Sequence, residues 1–534
     1  LPYFCFMKVS HIPRKLIPQF SSFSTNFGKQ DYLEQFLQQP FSDITCLNKQ
    51  IMLKKEQVTA ESRNVLVDTL QQQIGHFCSS KQQENIDLLA HETTFTITTG
   101  HQLTLFGGPL YLVYKVLHVV RLCELHNQST TSTKIVPVFW MASEDHDFEE
   151  VRHARVFQHK LSWESEQSGA VGRFELNDFS QIYHEFAALF EGKETAIQDL
   201  LQLDLSQSYA DFNQEFLTKL FSDFGVLVLQ PDAPLLKEAF RTVIARELFE
   251  QPSFAAVSKT NEALASIGLA PQATARDINL FYLSKGKRKR IVREDDLFRI
   301  DDRLLSREEL EQLLAKEIVN FSPNVILRPV YQETILPNLA YIGGGGEMAY
   351  WVQLKQVFEA HNTLFPLIQQ RNSLLLLDAN TAKKVNKTNW DVARFFTDKQ
   401  TLIKEYLAEQ PDMQLDFSNL SAAFASLEQI MQDKTKEVDE ALSSFANAES
   451  VRIKNQLTQF EAKLIKQQKA KHEQQLAALE HVSERFLPAN ELQERALHWL
   501  NFAPTGDYHS LFASIYAAID PFQNDLIVLD LSVD

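Results

Sequence analysis

The sequence predicts an α/β protein: a doubly wound parallel sheet carrying two insertions, followed by a long helical coiled-coil domain. Three observations lead there. Short β-rich apolar runs alternate with helical patterns of 10 to 15 residues through the first two thirds of the chain, the mark of strand–helix–strand units. Four of the 16 glycines are consecutive at Gly343–Gly346, and none follows before Gly506, leaving a stretch broken only by Pro366, Pro411, Pro488 and Pro504 that favours helix. At 534 residues the chain is long enough for several domains or for one large core with insertions.

The elements follow in order. Phe95–Thr98 reads as a strand, and Leu110, Val113, Tyr114, Leu117 and Val120 share one face of the helix after it. Ile135–Trp140 is a second buried strand. Phe212, Phe216 and Leu220 mark a helix leading into Val226–Leu229, and Leu235–Phe249 reads as one further helix. Val325–Leu327 and Ala340–Ile342 are expected strands, a helix runs through Trp351, Leu354 and Phe358, and Leu364–Ile368 is the last core run. Two stretches near 151–208 and 253–320 interrupt the alternation.

In the glycine-free interval, Leu420, Phe424, Leu427, Met431, Val438, Ala441 and Phe445 follow 4,3 spacing, with Lys434 the polar residue on the seam. Ile453, Leu457, Phe460 and Leu464 continue it, and Ile465, Leu476, Leu479 and Phe486 resume it after a one-residue shift. Sustained over more than three heptads, the stripe predicts coiled-coil helices. The expected division is therefore core at 7–150, insertion at 151–208, core at 209–252, insertion at 253–320, core at 321–378, coiled-coil domain at 379–490, and a closing segment at 491–534 packed on the core.

Composition narrows the function. With 52 basic and 69 acidic residues the net charge is −17, which repels phosphate backbones and anionic bilayers, so neither nucleic acid nor membrane is an expected partner. Cys5, Cys46, Cys78 and Cys123 form no C-x-x-C pair, arguing against a disulfide framework or zinc ribbon and for a reducing compartment. The apolar residues before Met7 lack the build of a signal peptide, so Met7 is a candidate start and a cytoplasmic location is expected.

Three segments carry the candidate chemistry. Gly100, His101 and Gln102 end the first strand, and Gly107, Gly108 and Pro109 precede its helix, where free amides and the helix dipole would hold an anion. Ser143, Glu144, Asp145, His146 and Asp147 follow the second strand, at the edge where open α/β sheets bind ligands; they could act as general base, as amine-binding carboxylates or as metal ligands. Arg328, Gln332 and Glu333 precede Gly343, Gly344, Glu347, Tyr350 and Trp351, and four glycines after a strand point to backbone closely approaching a ligand or another segment. The basic run Lys285–Arg290 reads as an exposed hairpin turn. Two function classes are open on these residues: a metal-dependent hydrolase using His101, Asp145, His146 and Asp147, and a non-catalytic scaffold built on the coiled coil.

Thr99–Lys115, Pro137–Asp147, Asn324–Glu333, Gly343–Trp351 and the closing Glu494–Pro504 together resemble the bacillithiol biosynthesis cysteine-adding enzymes, in order and spacing over nearly the whole chain. The resemblance implies a Rossmann-type core related to class I aminoacyl-tRNA synthetases, connective-peptide insertions and a coiled coil that makes a homodimer. It implies the last step of bacillithiol synthesis, with cysteine and glucosaminyl-malate as substrates. The chain departs from the family at His101, where many relatives carry Gln, and it has no K-M-S-K-S-like segment. Because an unactivated carboxylate does not condense with an amine in water, ATP or another nucleotide is the expected cofactor. On that expectation Gly100, His101, Gln102 and the Gly107–Gly108 amides stabilise developing negative charge, and Asp145, His146 and Asp147 orient the amine and take its proton. Arg328 would bind the malate carboxylates, and Glu333 or Glu347 the cysteine ammonium.

Overall fold

The computed structural model describes residues 8–28, 31–192, 196–284, 286–413 and 416–532; Cys5, Met7 and Lys285 lie outside them. The described strands are β1 (Lys8–Ile12), β2 (Thr94–His101), β3 (Lys134–Met141), β4 (His153–Val156), β5 (His159–Ser162), β6 (Leu227–Leu229), β7 (Leu280–Ser284) and β8 (Lys287–Glu294). They continue as β9 (Leu297–Ile300), β10 (Arg303–Leu305), β11 (Phe321–Pro323), β12 (Asn338–Gly343), β13 (Leu367–Gln370), β14 (Ser373–Leu377) and β15 (Leu526–Asp530).

The core is a Rossmann-like parallel sheet in the order β13-β12-β2-β3-β6. Its strands are buried on both faces, which is why they read as continuous apolar runs rather than alternating ones. The threonines of β2 are buried too, and they are satisfied across the sheet. Thr96 and Thr98 donate to Asn338 Oδ1 at 3.1 and 2.8 Å, and Thr99 donates to the Ile342 carbonyl at 2.7 Å. From β2 the chain steps to β3 and β6 on one side and later returns to β12 and β13 on the other. The strand order therefore reverses between β2 and β12, and a crevice opens beyond their carboxyl ends.

The helix Leu110–Ser129 is buried on nearly all sides. One side packs on β2 and β3, the other beneath the closing segment, whose helix Tyr508–Ala518 covers it. The same segment supplies β15, parallel to β14 and antiparallel to β1. The stretch within 253–320 forms β7–β10, which with β11 make a five-stranded antiparallel sheet in the order β10-β9-β8-β7-β11. The earlier stretch carries the β4–β5 hairpin.

Four expectations are corrected. Val325–Leu327 is a turn, because Asn324 Oδ1 accepts from the amides of Ile326 and Leu327 at 2.9 and 3.3 Å and leads the chain into the helix Arg328–Ile335; the strand lies earlier, at β11. Leu235–Phe249 is two helices, Pro234–Ala239 and Arg241–Phe249, broken at Phe240. Trp351 and Phe358 likewise sit on separate short helices, Gly345–Trp351 and Lys355–Ala360. The glycine-free stretch is not helical throughout: after its first two short helices it carries strands β13 and β14, since pairing with β12 and β15 overrides local preference.

Residues Ala379–Glu491 form a second compact unit. Its long helices are Ser418–Val438, Ser443–Ala470 and Glu473–Phe486. The first two run antiparallel, with Gln432 Nε2 reaching Asn447 Oδ1 at 3.5 Å. The apolar stripe is interrupted at Lys471 and His472, between the second and third helices. No helix among the described residues is long and apolar enough to cross a membrane.

Candidate active site

A cavity of about 640 Å³ lies at the sheet's reversal point, within the range that takes a small substrate. The carboxyl end of β2 contributes Gly100, His101 and Gln102; the turn after β3 contributes Ser143, Glu144, Asp145 and His146; and the segment around β12 contributes Arg328, Tyr341, Gly344, Glu347 and Tyr350. Three segments far apart in sequence thus meet in one crevice.

His101 is neutral in this setting. Its Nδ1 faces the Gln102 carbonyl at 3.1 Å and therefore carries the proton, while Nε2 accepts from the Tyr111 hydroxyl at 2.7 Å. Burial, helped by the nearby Lys115 ammonium, lowers its pKa to about 4. Lys115, one helical turn beyond Tyr111, donates to the Gly100 carbonyl at 2.9 Å and pairs with Glu347. Burial opposes ionisation of Glu347, yet Lys115, the Tyr341 hydroxyl and the Gly344 amide outweigh it and hold its pKa at about 2. Glu347 thus anchors the polyglycine turn, with Oε1 accepting from Tyr341 and Oε2 from Gly344 and Lys115.

Asp145 is the accessible carboxylate. Burial raises its pKa, but the Gln102 amide at 2.7 Å and the Arg288 guanidinium prevail and keep it below the usual carboxylate range. His146 is exposed, and Arg288 Nη1 donates to its Nδ1 at 3.2 Å, which leaves the proton on Nε2. Glu144 is buried against Lys237, and Ser143 Oγ is buried without a partner. Asp147 is exposed, precedes the short helix Phe148–Val151 and does not line the cavity.

Arg328 lies near the rings of Tyr341 and Trp351, 5.6 and 6.0 Å from their centroids. Its Nη1 donates to Gln332 Oε1 at 3.2 Å, Tyr350 also bonds to the guanidinium, and Nη2 is shielded from solvent. Gln332 and Glu333 support it from behind: Gln332 Nε2 donates to Glu333 Oε1 at 2.9 Å, and Glu333 pairs with the buried Lys54 at 3.5 Å. Neither reaches the cavity, so Glu333 is not placed to hold a substrate ammonium. Trp351 is a buried platform stacked on Tyr341, and Gly343 is buried and likewise does not line the cavity.

Gly107 and Gly108 are also elsewhere. Both have positive φ, 78° and 60°; a side chain at Gly107 would meet Leu220 and Trp499, and one at Gly108 would meet Thr104. They make a tight buried turn. The amides beside them are spent on protein carbonyls, Gly108 on Leu105 and Leu110 on Leu497, both at 2.9 Å, so no anion cradle exists there. The metal-ligand set dissolves similarly: among the described residues no group of three or more His, Cys, Asp or Glu side chains converges on a metal position, and both nitrogens of His101 are already engaged.

Sequence reasoning missed Tyr111, Lys115, Arg276, Arg288, Arg290 and Arg495, all of which line the cavity. The first two had a readable signal, lying one turn apart at the start of a helix that follows a site strand. The arginines of β8 were visible only as a charge run.

The family models place their boundary close to the start of the second unit and count the closing segment with the coiled coil, although in the structure that segment belongs to the first unit. The chain matches the bacillithiol biosynthesis BshC N-terminal Rossmann-like domain over residues 7–372 and the BshC C-terminal coiled-coil domain over residues 374–531. A Cytophaga hutchinsonii protein named "Putative cysteine ligase BshC" is 36% identical over 510 residues, covering 94% of this chain and 95% of that one. A Flavobacterium johnsoniae protein of the same name is 36% identical over 490 residues, covering 89% and 91%, and one from Bacillus mycoides is 26% identical over 434 residues, covering 77% and 80%. With both family domains matched along nearly its whole length and relatives above 30% identity end to end, the chain belongs to the BshC family of bacillithiol biosynthesis.

Proposed function

We propose that this chain is a carbon–nitrogen ligase that joins the carboxyl group of cysteine to the amine of glucosaminyl-malate, the last step of bacillithiol synthesis. The observation that carries this reading is the placement, in one cavity, of an ionised carboxylate at Asp145 and the guanidinium of Arg328. A substrate pair bearing an amine and carboxylates suits those two charges. Arg328 binds a malate carboxylate, and Gln332 and Glu333 hold its guanidinium in place.

Asp145 receives the amino group of glucosaminyl-malate, orients it and takes up the proton it sheds as the bond to the cysteinyl carbonyl forms and the leaving group departs. His146 assists indirectly, because its Nδ1 is occupied by Arg288. His101, with both nitrogens engaged, keeps the Tyr111 oxygen and the Gln102 backbone in position instead of shuttling protons. The carboxyl group must carry a phosphate-type leaving group for amide formation to proceed in water, so ATP or another nucleotide is the proposed cofactor. A second copy of the chain is the proposed partner of the coiled-coil helices.

The test is incubation of the purified protein with cysteine, glucosaminyl-malate and ATP, reading the thiol product by mass. Asp145→Ala should lower the rate by about 100-fold or more, and His146→Ala by less. Unchanged product formation by Asp145→Ala removes the proton-transfer role, and no product from the wild-type protein removes the ligase reading.

A further inference from the structure

The four consecutive bases of β8, Lys287 to Arg290, divide between two faces of the antiparallel sheet, as alternate residues of a strand must. Lys287 and Lys289 point one way and share Asp301, at 3.8 and 3.0 Å. Arg288 and Arg290 point the other way and line the cavity, joined there by Arg276 from the segment before β7. The wall is built rather than incidental. Arg288 lies over the Phe281 ring at 4.1 Å, and its Nη2 is fixed by Ser322 Oγ at 3.2 Å and the Pro323 carbonyl at 3.0 Å. Phe281 is also the cross-strand partner of Arg290. Among the described residues Arg276 and Arg290 make no ion pair, although the chain carries a net charge of −17 and carboxylates are plentiful. Of the cavity's acids, Glu144 pairs with Lys237 and Glu347 with Lys115, Asp145 and Glu150 share the Gln102 amide, and Glu144 and Asp145 act on Arg288 alone among the three arginines.

We infer that Arg276, Arg288 and Arg290 form a recognition wall for a multiply charged oxyanion, a phosphate chain or a dicarboxylate, held opposite the sheet ends that carry Asp145. The inference deepens the ligase reading by relocating anion recognition from the buried Gly107–Gly108 turn to the antiparallel sheet. Arg276 and Arg290, which make no ion pair among the described residues, are free to bind such an oxyanion bidentately, while Arg288, held by Ser322, Pro323 and His146, keeps one Nη1 hydrogen for a single contact; three positive groups side by side favour ligands with several charges over singly charged ones.

The test uses the full chain and needs no turnover, so it is separable from the ligase reading. Binding of inorganic tripolyphosphate, L-malate and acetate is measured by calorimetry. The expected result is binding of at least one multiply charged probe and not of acetate. Arg276→Ala and Arg290→Ala should each weaken it by about tenfold, as loss of a charge-assisted contact predicts. The double variant Lys287→Ala/Lys289→Ala removes two charges from the opposite face of the same strand and should leave binding within about twofold. Whichever of tripolyphosphate and malate depends on the arginines identifies the oxyanion. Absence of binding by both probes, or equal losses in the arginine and lysine variants, overturns the inference.

Discussion

The Tyr111 hydroxyl donates to His101 Nε2 across 2.7 Å, and this one bond settles the state of the imidazole. With Nδ1 held by the Gln102 carbonyl, the ring is a neutral Nδ1–H tautomer whose pKa is lowered to about 4 by burial and Lys115. His118 and His498 are lowered by burial as well, to about 4 and about 3. Between those values and 6.5 the unfolded chain binds protons that the folded chain does not. Stability should therefore be constant near pH 7 and fall as pH drops from 6.5 toward 4, as urea unfolding at stepped pH would read. Tyr111→Phe removes a donor to the neutral ring and should raise the His101 pKa by about one unit. Histidine NMR showing His101 titrating near 6.5 in the unaltered protein would refute the assignment.

The Lys115–Glu347 pair is the electrostatic anchor of the polyglycine turn, joining the start of the helix Leu110–Ser129 to the start of Gly345–Trp351. Lys115→Met leaves the Glu347 carboxylate facing Tyr341 and Gly344 without its counter-ion and should cost about 3 kcal/mol, the low end for a broken buried pair because Glu347 retains some solvent contact. Adding Glu347→Gln should recover much of that loss in a double-mutant cycle. The depressed acid contributes stability above its unfolded pKa near 4.5 that is lost as pH falls through about 2, so the Lys115→Met penalty should shrink in strong acid. Additive single-variant losses would show that the two side chains are not coupled.

Hydrophobic periodicity made the sheet legible, because strands buried on both faces announce themselves as apolar runs, and β2, β3 and β12 fall on the runs that predicted them. The turn at Val325–Leu327 was not legible, since its shape comes from a single Asn324 side chain that apolar content does not encode. The glycines divide in the same way. The four-glycine run pointed to close backbone approach, and Gly345 does lie where a side chain would strike Ser24 at 2.7 Å, whereas Gly346 faces open space. Gly107 and Gly108 carried the same letters for a different reason: they bend the chain left-handed among buried aromatic and aliphatic side chains, a packing role visible only once Trp499 and Leu220 are in place. Asp145 was readable from its position after a strand, but the commitment of Glu347 to Lys115 was not, because the two residues are joined only in three dimensions.

The 4,3 stripe that predicted coiled-coil helices is only partly used within the second unit. No residue of Ser418–Val438 is buried, and Ala446 and Ser450 are the only buried residues described on Ser443–Ala470. Phe445 is 62% exposed and Phe460 51%, and Leu427, Val438 and Leu464 on the same stripe are exposed as well. Large apolar side chains in such a row are what an association surface presents, and aromatic residues carry much of the energy of such surfaces. The chain should therefore sediment as a dimer at micromolar concentration. Phe445→Glu combined with Phe460→Glu should weaken self-association by at least about tenfold, since a carboxylate would have to be desolvated in the apolar seam. Both positions face solvent in the single chain, so helical circular dichroism and the unfolding midpoint of the α/β unit should stay unchanged. A wild-type protein that sediments as a monomer across that range, or a double variant that dimerises as tightly as the parent, would show that the stripe serves something other than pairing.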